Sequence, residues 1–420
     1  MSIAAILNSY DNDYWDFKDV KNEGIHSIAN YPAPMVAPMQ HELLKLILGE
    51  NPAYKNMLDP FHGSGVTLVE GQSLGLEVWG IDINPYAHII SLAKLEKYNP
   101  EIIEASNLHI NKRIDQIRQN GPFFLHNFYN IRKWFRDDII KDLCIIRTAI
   151  MLEPNAKTRR YYWLCFGEIV KKYSNTRTST FKLHVKEPLK ICEIENNVID
   201  DFNFKISETY HLIGYPQQGP FHLDCGDSVN IMKTYNTESF DIICTSPPYG
   251  DNATTVTYGQ FSTLQLLWIN SNDFQYDPDC ITDYSRIDSL SLGGTHSTNN
   301  AFYYSPIVLS YISQLSSHKR DKIIRFYADY ENAFRLMSRL LKRNGSMILT
   351  LGDRMVDRIE FPFIDINKEI GWHYGLKLIY VINRHIINKR MPTRVSRLED
   401  GKPVDSMSKE TVLLFKKEVE

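Results

Sequence analysis

Short apolar runs alternate with stretches of helical periodicity along most of this chain. Val78-Trp79-Gly80-Ile81-Asp82, Asp241-Ile242-Ile243-Cys244, Met347–Leu351, Leu376–Val381 and Thr411–Phe415 are too short for helices and sit between glycine or polar turns, so they predict buried strands. Elsewhere apolar side chains recur at three- and four-residue intervals, which gathers them on one helix face. Such sets are Leu43, Leu44, Ile47 and Leu48; Trp134, Ile139, Ile140, Leu143, Ile146 and Ile150; and Phe326, Tyr330, Phe334, Met337 and Leu341. A further helix is predicted over 363–370. Strands interleaved with helices in this way predict an α/β fold.

Two breaks in the pattern carry chemistry. Leu58-Asp59-Pro60-Phe61-His62-Gly63-Ser64-Gly65-Val66-Thr67 reads as a strand, a glycine turn and a helix start. Its glycines let backbone approach a ligand, and the helix offers free N–H groups. The Gly-Lys-Ser/Thr ending of a phosphate loop is absent. Asp82 closes the next strand about 20 residues later, a spacing that suits a ribose hydroxyl clamp and that nicotinamide enzymes share. Thr245-Ser246-Pro247-Pro248-Tyr249-Gly250 ends the run that begins at Asp241. There the Ser246 hydroxyl and the carbonyls beside Pro247 can accept hydrogens from an exocyclic amine, while proline removes competing donors and stiffens the turn. Tyr249 offers a flat face to a base. Pro247 and Pro248 alone are equally the mark of an ordinary rigid turn.

Taken together, these segments resemble the exocyclic-amino DNA methyltransferases that use S-adenosylmethionine, and the resemblance covers most of the chain. It implies a Rossmann-like class I methyltransferase fold: α/β, with a mixed, mostly parallel seven-stranded sheet and helical and loop insertions. In that family the glycine loop holds the methionine end of the cofactor, here Asp59, Phe61, Gly63, Ser64 and Gly65. The acidic end of the second strand holds the ribose, here Asp82 with Ile83. Leu223-Asp224-Cys225-Gly226-Asp227-Ser228 resembles the motif that takes the adenine, through Asp227 and Ser228. Tyr31-Pro32-Ala33-Pro34-Met35 looks like the segment that closes over the methionine, through Ala33 and Met35. Ser246, Pro247, Pro248 and Tyr249 form the catalytic motif.

Serine in its first position is usual for N4-cytosine enzymes, whereas aspartate or asparagine is more usual for N6-adenine enzymes. The resemblance therefore implies methylation of cytosine N4 in double-stranded DNA after the base is flipped out. N6-adenine chemistry, an RNA guanine-N2 enzyme and a non-catalytic DNA-binding subunit remain alternatives. Methylation at cytosine C5 needs a thiolate nucleophile, and the Pro-Cys dipeptide of that family is absent from the sequence. A restriction-modification setting is implied, with any cognate endonuclease on a separate chain.

Composition adds boundaries. At 420 residues the chain can bury a large core and hold insertions. No apolar run reaches membrane-spanning length and no signal-like start is present, which predicts a cytoplasmic protein without a membrane partner. Six dispersed cysteines and no Cys-x2-Cys pair predict neither a zinc site nor a disulfide framework.

The net charge of −3 is not that of a protein coated in nucleic acid, so local distribution matters more. Residues 157–186 hold eight Lys or Arg against one acid, and 378–398 hold five and none. Arg160, Lys171, Lys172 and Arg177 in the first region, and Arg384, Lys389, Arg390 and Arg394 in the second, are candidates for DNA phosphates. Tyr161, Tyr162 and Trp163 read as core.

The motifs divide the chain into 25–99 with the cofactor motifs, a helical insertion over 100–219 that is a candidate target recognition region, 220–269 with the catalytic motif, a loop-rich insertion or flap over 270–325, and 326–420 completing the catalytic domain. Residues 251–260 read as an active-site loop, with a plain surface loop as the alternative. Asp353 and Arg354, after the strand Met347–Leu351, read equally as pocket-rim candidates or as a structural ion pair.

Overall fold

A computed structural model describes the chain except residues 1–2, 12, 19, 22, 214–218, 251–255, 275–282, 295–302, 304, 353, 358, 387–393, 398–402, 406–408 and 419–420, and except the side chains of 318, 394–397 and 403–405. Seven strands form its main sheet: β1 (Asn56–Asp59), β2 (Glu77–Asp82), β3 (Phe221–Cys225), β4 (Phe240–Thr245), β5 (Leu341–Gly352), β6 (Leu376–His385) and β7 (Lys409–Lys417). Their order is β3-β2-β1-β4-β5-β7-β6. The first five run parallel, and β7 lies antiparallel between β5 and β6. The order reverses between β1 and β4, which opens a crevice at the carboxyl ends of those strands, the usual ligand position in such sheets.

Alternate strand residues enter opposite layers, as the two-residue period of a strand requires. Met57, Val78, Ile242 and Ile348 join one apolar cluster, whereas Leu58, Ile81, Ile243 and Met347 join the other. Both faces are covered, so the strands read as continuous apolar runs. The first layer contains α1 (Ala37–Glu50), α2 (Val66–Ser73) and α3 (Pro85–Leu95). This layer continues into the insertion, where α4 (Pro100–Asn120), α5 (Asp137–Met151), α6 (Ala156–Tyr173) and α7 (Val198–Thr209) pack on one another. The second layer holds α8 (Ser228–Thr234), the long α10 (Ser317–Leu340) and α11 (Phe363–His373), while α9 (Tyr258–Trp268) follows the catalytic motif in the first layer. No helix among the described residues is long and apolar enough to cross a membrane.

Two predicted elements differ. The helix expected through Trp134 and Ile150 is broken at Phe135-Arg136, because Phe135 turns into the core in an extended conformation and the Arg136 guanidinium donates to Ile194 O at 2.7 Å. Leu341, expected to end a helix, begins β5 instead. It faces Phe240, and Ser346 faces Ile242, so 342–345 bulge opposite a single residue, with Asn344 at φ 59°.

Candidate active site

The cofactor side of the crevice is built around two carboxylates. Asp59 ends β1 and is fully buried. Its Oδ1 accepts from Thr245 Oγ1 at 2.6 Å and from Phe61 N at 3.0 Å, and its Oδ2 accepts from the Thr67 hydroxyl. Burial raises this carboxyl above its ordinary range although the hydrogen bonds oppose it. Asp59 therefore stitches β1, α2 and β4 together at the floor of the glycine turn.

Asp82, at the end of β2, is only part-buried. Gly63 N donates to its Oδ2 at 2.9 Å and Asn84 N to its Oδ1 at 2.8 Å. Two backbone amides thus aim the carboxylate while each oxygen keeps a second lone pair. Gly63 and Gly65 take φ of 51° and 75°, a region that favours glycine. At Gly65 a Cβ would also come within 2.6 Å of Ser91 Oγ, so the approach of α3 makes a second demand on the same residue. Gly63 lies under the Tyr31 ring, at an ordinary contact distance of 3.5 Å for a Cβ placed there.

The remaining cofactor candidates differ in burial and in their partners. Ser64 is buried, and its carbonyl accepts from Lys94 Nζ at 2.9 Å; burial lowers that ammonium to about 7. Phe61 and Ile83 are half-buried, Met35 is half-buried, and Ala33 is exposed at φ 45°. Gly226 N donates to Asp82 O at 2.9 Å, which sets the ends of β2 and β3 side by side. Asp227 follows and caps α8 by accepting from Asn230 N at 2.8 Å, while the buried Ser228 donates to Pro60 O at 2.6 Å.

Sequence reasoning missed the residues that brace this cradle. Tyr31 stacks on Tyr258 with centroids 5.5 Å apart, and Asn84 Nδ2 donates to Tyr31 Oη at 3.0 Å and Ser262 Oγ at 2.8 Å. Asn84 carried a readable signal, because Asn before Pro85 is a helix N-cap followed by proline at the first turn, and its side chain does accept from Tyr86 N at 3.0 Å. Glu168 carried none. It lies on α6 within the insertion, yet it accepts from Asn30 N at 3.1 Å and from Asn30 Nδ2, and so ties the insertion to the segment before Tyr31.

On the other side of the crevice, Ser246 to Tyr249 leave β4 without regular structure. Ser246 Oγ lies 2.8 Å from Tyr249 Oη. Burial, with Glu410 next, raises the Tyr249 phenol above its ordinary value, so it remains protonated and can donate to Ser246. The loop expected over 251–260 lies outside the described residues as far as 255, and from Tyr258 onward it is helix instead. Asp288 caps that helix by accepting from Gly259 N at 2.9 Å and Gln260 N at 3.1 Å. Gly293, in the segment read as a flap, donates to Asp329 Oδ2 at 2.9 Å and packs against Phe326 of α10.

The basic candidates divide by burial. Arg160 is buried, and its guanidinium donates to both oxygens of Glu96, so it belongs to the insertion core and not to a phosphate surface. Arg384 is likewise buried, 2.7 Å from Glu410 Oε2. Both expectations failed for one reason: charge counts along a sequence carry no burial. Lys171 is half-buried with Nζ 4.6 Å from the Phe261 ring, and burial lowers its ammonium to about 8. Lys172 is exposed beside Asp201, and Arg177 is exposed with Nη2 3.1 Å from Glu187 Oε1. Lys389, Arg390 and the Arg394 side chain lie outside the described residues, as does Asp353. Tyr161, Tyr162 and Trp163 are buried core, as their pattern predicted.

A mostly parallel seven-stranded sheet with one antiparallel strand beside its last, a glycine turn after β1 and a carboxylate ending β2 define a Rossmann-like class I methyltransferase that uses S-adenosylmethionine. No family model matches the chain. It is 31% identical over 436 residues to the type II methyltransferase M.MvaI of Kocuria varians, spanning 97% of this chain and 94% of that protein. M.BsoBI of Geobacillus stearothermophilus is 23% identical over 59% of the chain and 53% of its own length, and M.MjaII of Methanocaldococcus jannaschii is 27% identical over 24% and 18%. The chain belongs to the type II DNA methyltransferases.

Proposed function

We propose that this protein methylates the exocyclic N4 of cytosine in double-stranded DNA, within a restriction-modification system. The observation that carries the reading is the Ser246 hydroxyl, at the end of β4 and 2.8 Å from the Tyr249 hydroxyl. An aromatic amine is a poor nucleophile because its lone pair is delocalised into the ring. When the protonated phenol donates to Ser246 Oγ, the serine is oriented to accept one amine hydrogen, and the Pro247 carbonyl takes the other. Holding both draws the nitrogen toward tetrahedral geometry. Bound S-adenosylmethionine supplies an already activated methyl group, so orientation and electrostatics carry the rate without a covalent enzyme intermediate. The amine proton leaves to water.

Asp82 would bind the ribose diol, the free oxygen of Asp227 the adenine amino group, and the Gly63-Ser64-Gly65 turn with Ala33 and Met35 the methionine end. Phe61, Ile83 and Ser228 would border the adenosine. Tyr249 would stack on the extruded base and Pro248 would stiffen the loop; stacking of this kind contributes about 1–3 kcal/mol toward flipping. Lys171, Lys172, Arg177, Lys389, Arg390 and Arg394 would meet phosphates, with residues 100–219 as the recognition region and a cognate endonuclease on a separate chain.

The test is to incubate the protein with unmethylated genomic DNA and S-adenosylmethionine and to identify the modified nucleoside by mass spectrometry. N4-methylcytosine is expected; N6-methyladenine would overturn the base assignment and leave the mechanism standing. Ser246→Ala is expected to lower kcat about 10²–10³-fold with cofactor affinity little changed. An unaltered rate would remove Ser246 from the mechanism.

A further inference from the structure

Glu70 lies on α2, the helix that the Gly63-Ser64-Gly65 turn opens, and is buried. Two histidines from outside that helix converge on its carboxylate. His26 Nε2 stands 2.6 Å from Oε1, and His41 Nδ1 stands 2.8 Å from Oε2. His26 is buried in the short 3-10 helix Gly24–Ser27, whereas His41 lies on α1 with 38% of its side chain exposed. An ionised carboxylate only accepts, so each imidazole donates to it. Burial lowers His26 below its ordinary value against the opposing pull of Glu70, which leaves the ring neutral with its one N–H on Nε2. The chain between the two histidines passes over the glycine turn, where the Tyr31 ring stands above Gly63 and its hydroxyl accepts from Asn84 Nδ2. Residues 30–36 have no regular structure, and among the described residues 31–35 make no backbone–backbone hydrogen bond. Buried Ile28 and Ala37 seat the flanks, and side-chain hydrogen bonds hold the rest: Asn30 on Glu168, and one at either end on Glu70.

We propose that Glu70 is a positioning residue for the cofactor: by holding His26 and His41 at once, it pins both ends of the segment that borders the methionine end of S-adenosylmethionine. The inference rests on the reading given above, in which Ala33 and Met35 border that end. Glu70 acts through the two histidines and not on the cofactor itself. Ordering a loop costs about 1–2 kcal/mol for each residue fixed. A segment tied down at both ends before the cofactor arrives spares the binding step that cost. Because Glu70 stands on the helix that follows the glycine turn, the same helix sets the turn below the methionine and the segment above it.

The experiment measures the affinities of S-adenosylhomocysteine and 5′-methylthioadenosine by calorimetry, with a melting temperature beside each, for wild type, His41→Ala, His41→Asn, His26→Gln and Glu70→Ala. The two ligands share the adenosine and its sulfur, and only the first carries the amino-acid end. Asn can place a donor where Nδ1 of His41 stood, and Gln one where Nε2 of His26 stood. His41→Ala is expected to weaken S-adenosylhomocysteine roughly tenfold and to leave 5′-methylthioadenosine unchanged. His41→Asn and His26→Gln should keep most of the wild-type affinity. Glu70→Ala, which frees both ends, should lose at least as much as His41→Ala. His41 is part-exposed, so its alanine variant carries the test even where Glu70→Ala fails to fold.

A lowered melting temperature with both affinities intact would overturn the proposal and leave Glu70 a role in the fold alone. Equal losses for the two ligands would overturn it as well, because a general disturbance of the cradle does not tell them apart. So would equal losses in His41→Ala and His41→Asn, which would deny the hydrogen bond its part. If wild type binds the two ligands equally, the methionine reading fails and takes this inference with it; if wild type prefers S-adenosylhomocysteine and His41→Ala preserves that preference, this inference alone fails.

Discussion

The cofactor cradle and the helical insertion both contain charged residues that look functional in the sequence, and they use them in opposite ways. In the cradle, Asp82 is held by the backbone amides of Gly63 and Asn84 and stays part-exposed at the end of β2. In the insertion, Arg160 is spent on Glu96 inside the core, and Arg177 just seventeen positions later stays exposed. A strand end followed by a glycine turn fixes where a carboxylate points. A basic residue on a helix can face either way, and only the packing of its neighbours decides.

The contrast can be broken most decisively at Arg160. Arg160→Met leaves Glu96 buried without its partner and is expected to lower folding stability by about 3–5 kcal/mol, measured by urea denaturation, with the DNA affinity of the folded fraction unchanged. Weakened DNA binding at intact stability would return Arg160 to the phosphate surface. Asp82→Ala should weaken cofactor binding roughly 10–100-fold by calorimetry, since hydrogen bonds to a charged group contribute about 1.5–3 kcal/mol; equal affinity would sever the cradle from the cofactor.

Lys94 supplies a pH test within the cradle. Its ammonium titrates at about 7 in the folded protein against the ordinary 10.5, so between those values the unfolded chain binds more protons and stability from this group rises with pH. Lys94→Met should flatten that rise in a pH series of melting experiments, and a rise of equal size in the variant would assign it elsewhere. Arg177→Ala is the mildest change: stability should move by less than about 0.5 kcal/mol, while the DNA salt slope falls by about 0.9. An unchanged slope would place Arg177 off the DNA.

Much of the cradle was legible before any coordinates. Alternating strand and helix patterns, the Gly63-Ser64-Gly65 turn, Asp82 and the Ser246 motif depend on neighbours within a few residues, and local sequence carries them. Asp59 shows the limit. Its place in the motif was readable, but its commitment to Thr67 and Thr245 joins three elements and required their packing. The bulge over 342–345 was hidden for the same reason, since its cause is the pairing of β5 with β4. Glu168 is the strongest case, because it meets Asn30 across 138 residues of chain.

The sequence by itself determined the α/β class, the order of the motifs and the identities of the groups at the strand ends, because these follow from periodicity and from turn chemistry that act over short distances. The tertiary structure alone decided which charges are buried, which are exposed and which loops touch, including Arg354 on Gly250. Burial and long-range contact arise only when distant segments compete for the same space, and no linear pattern records the outcome.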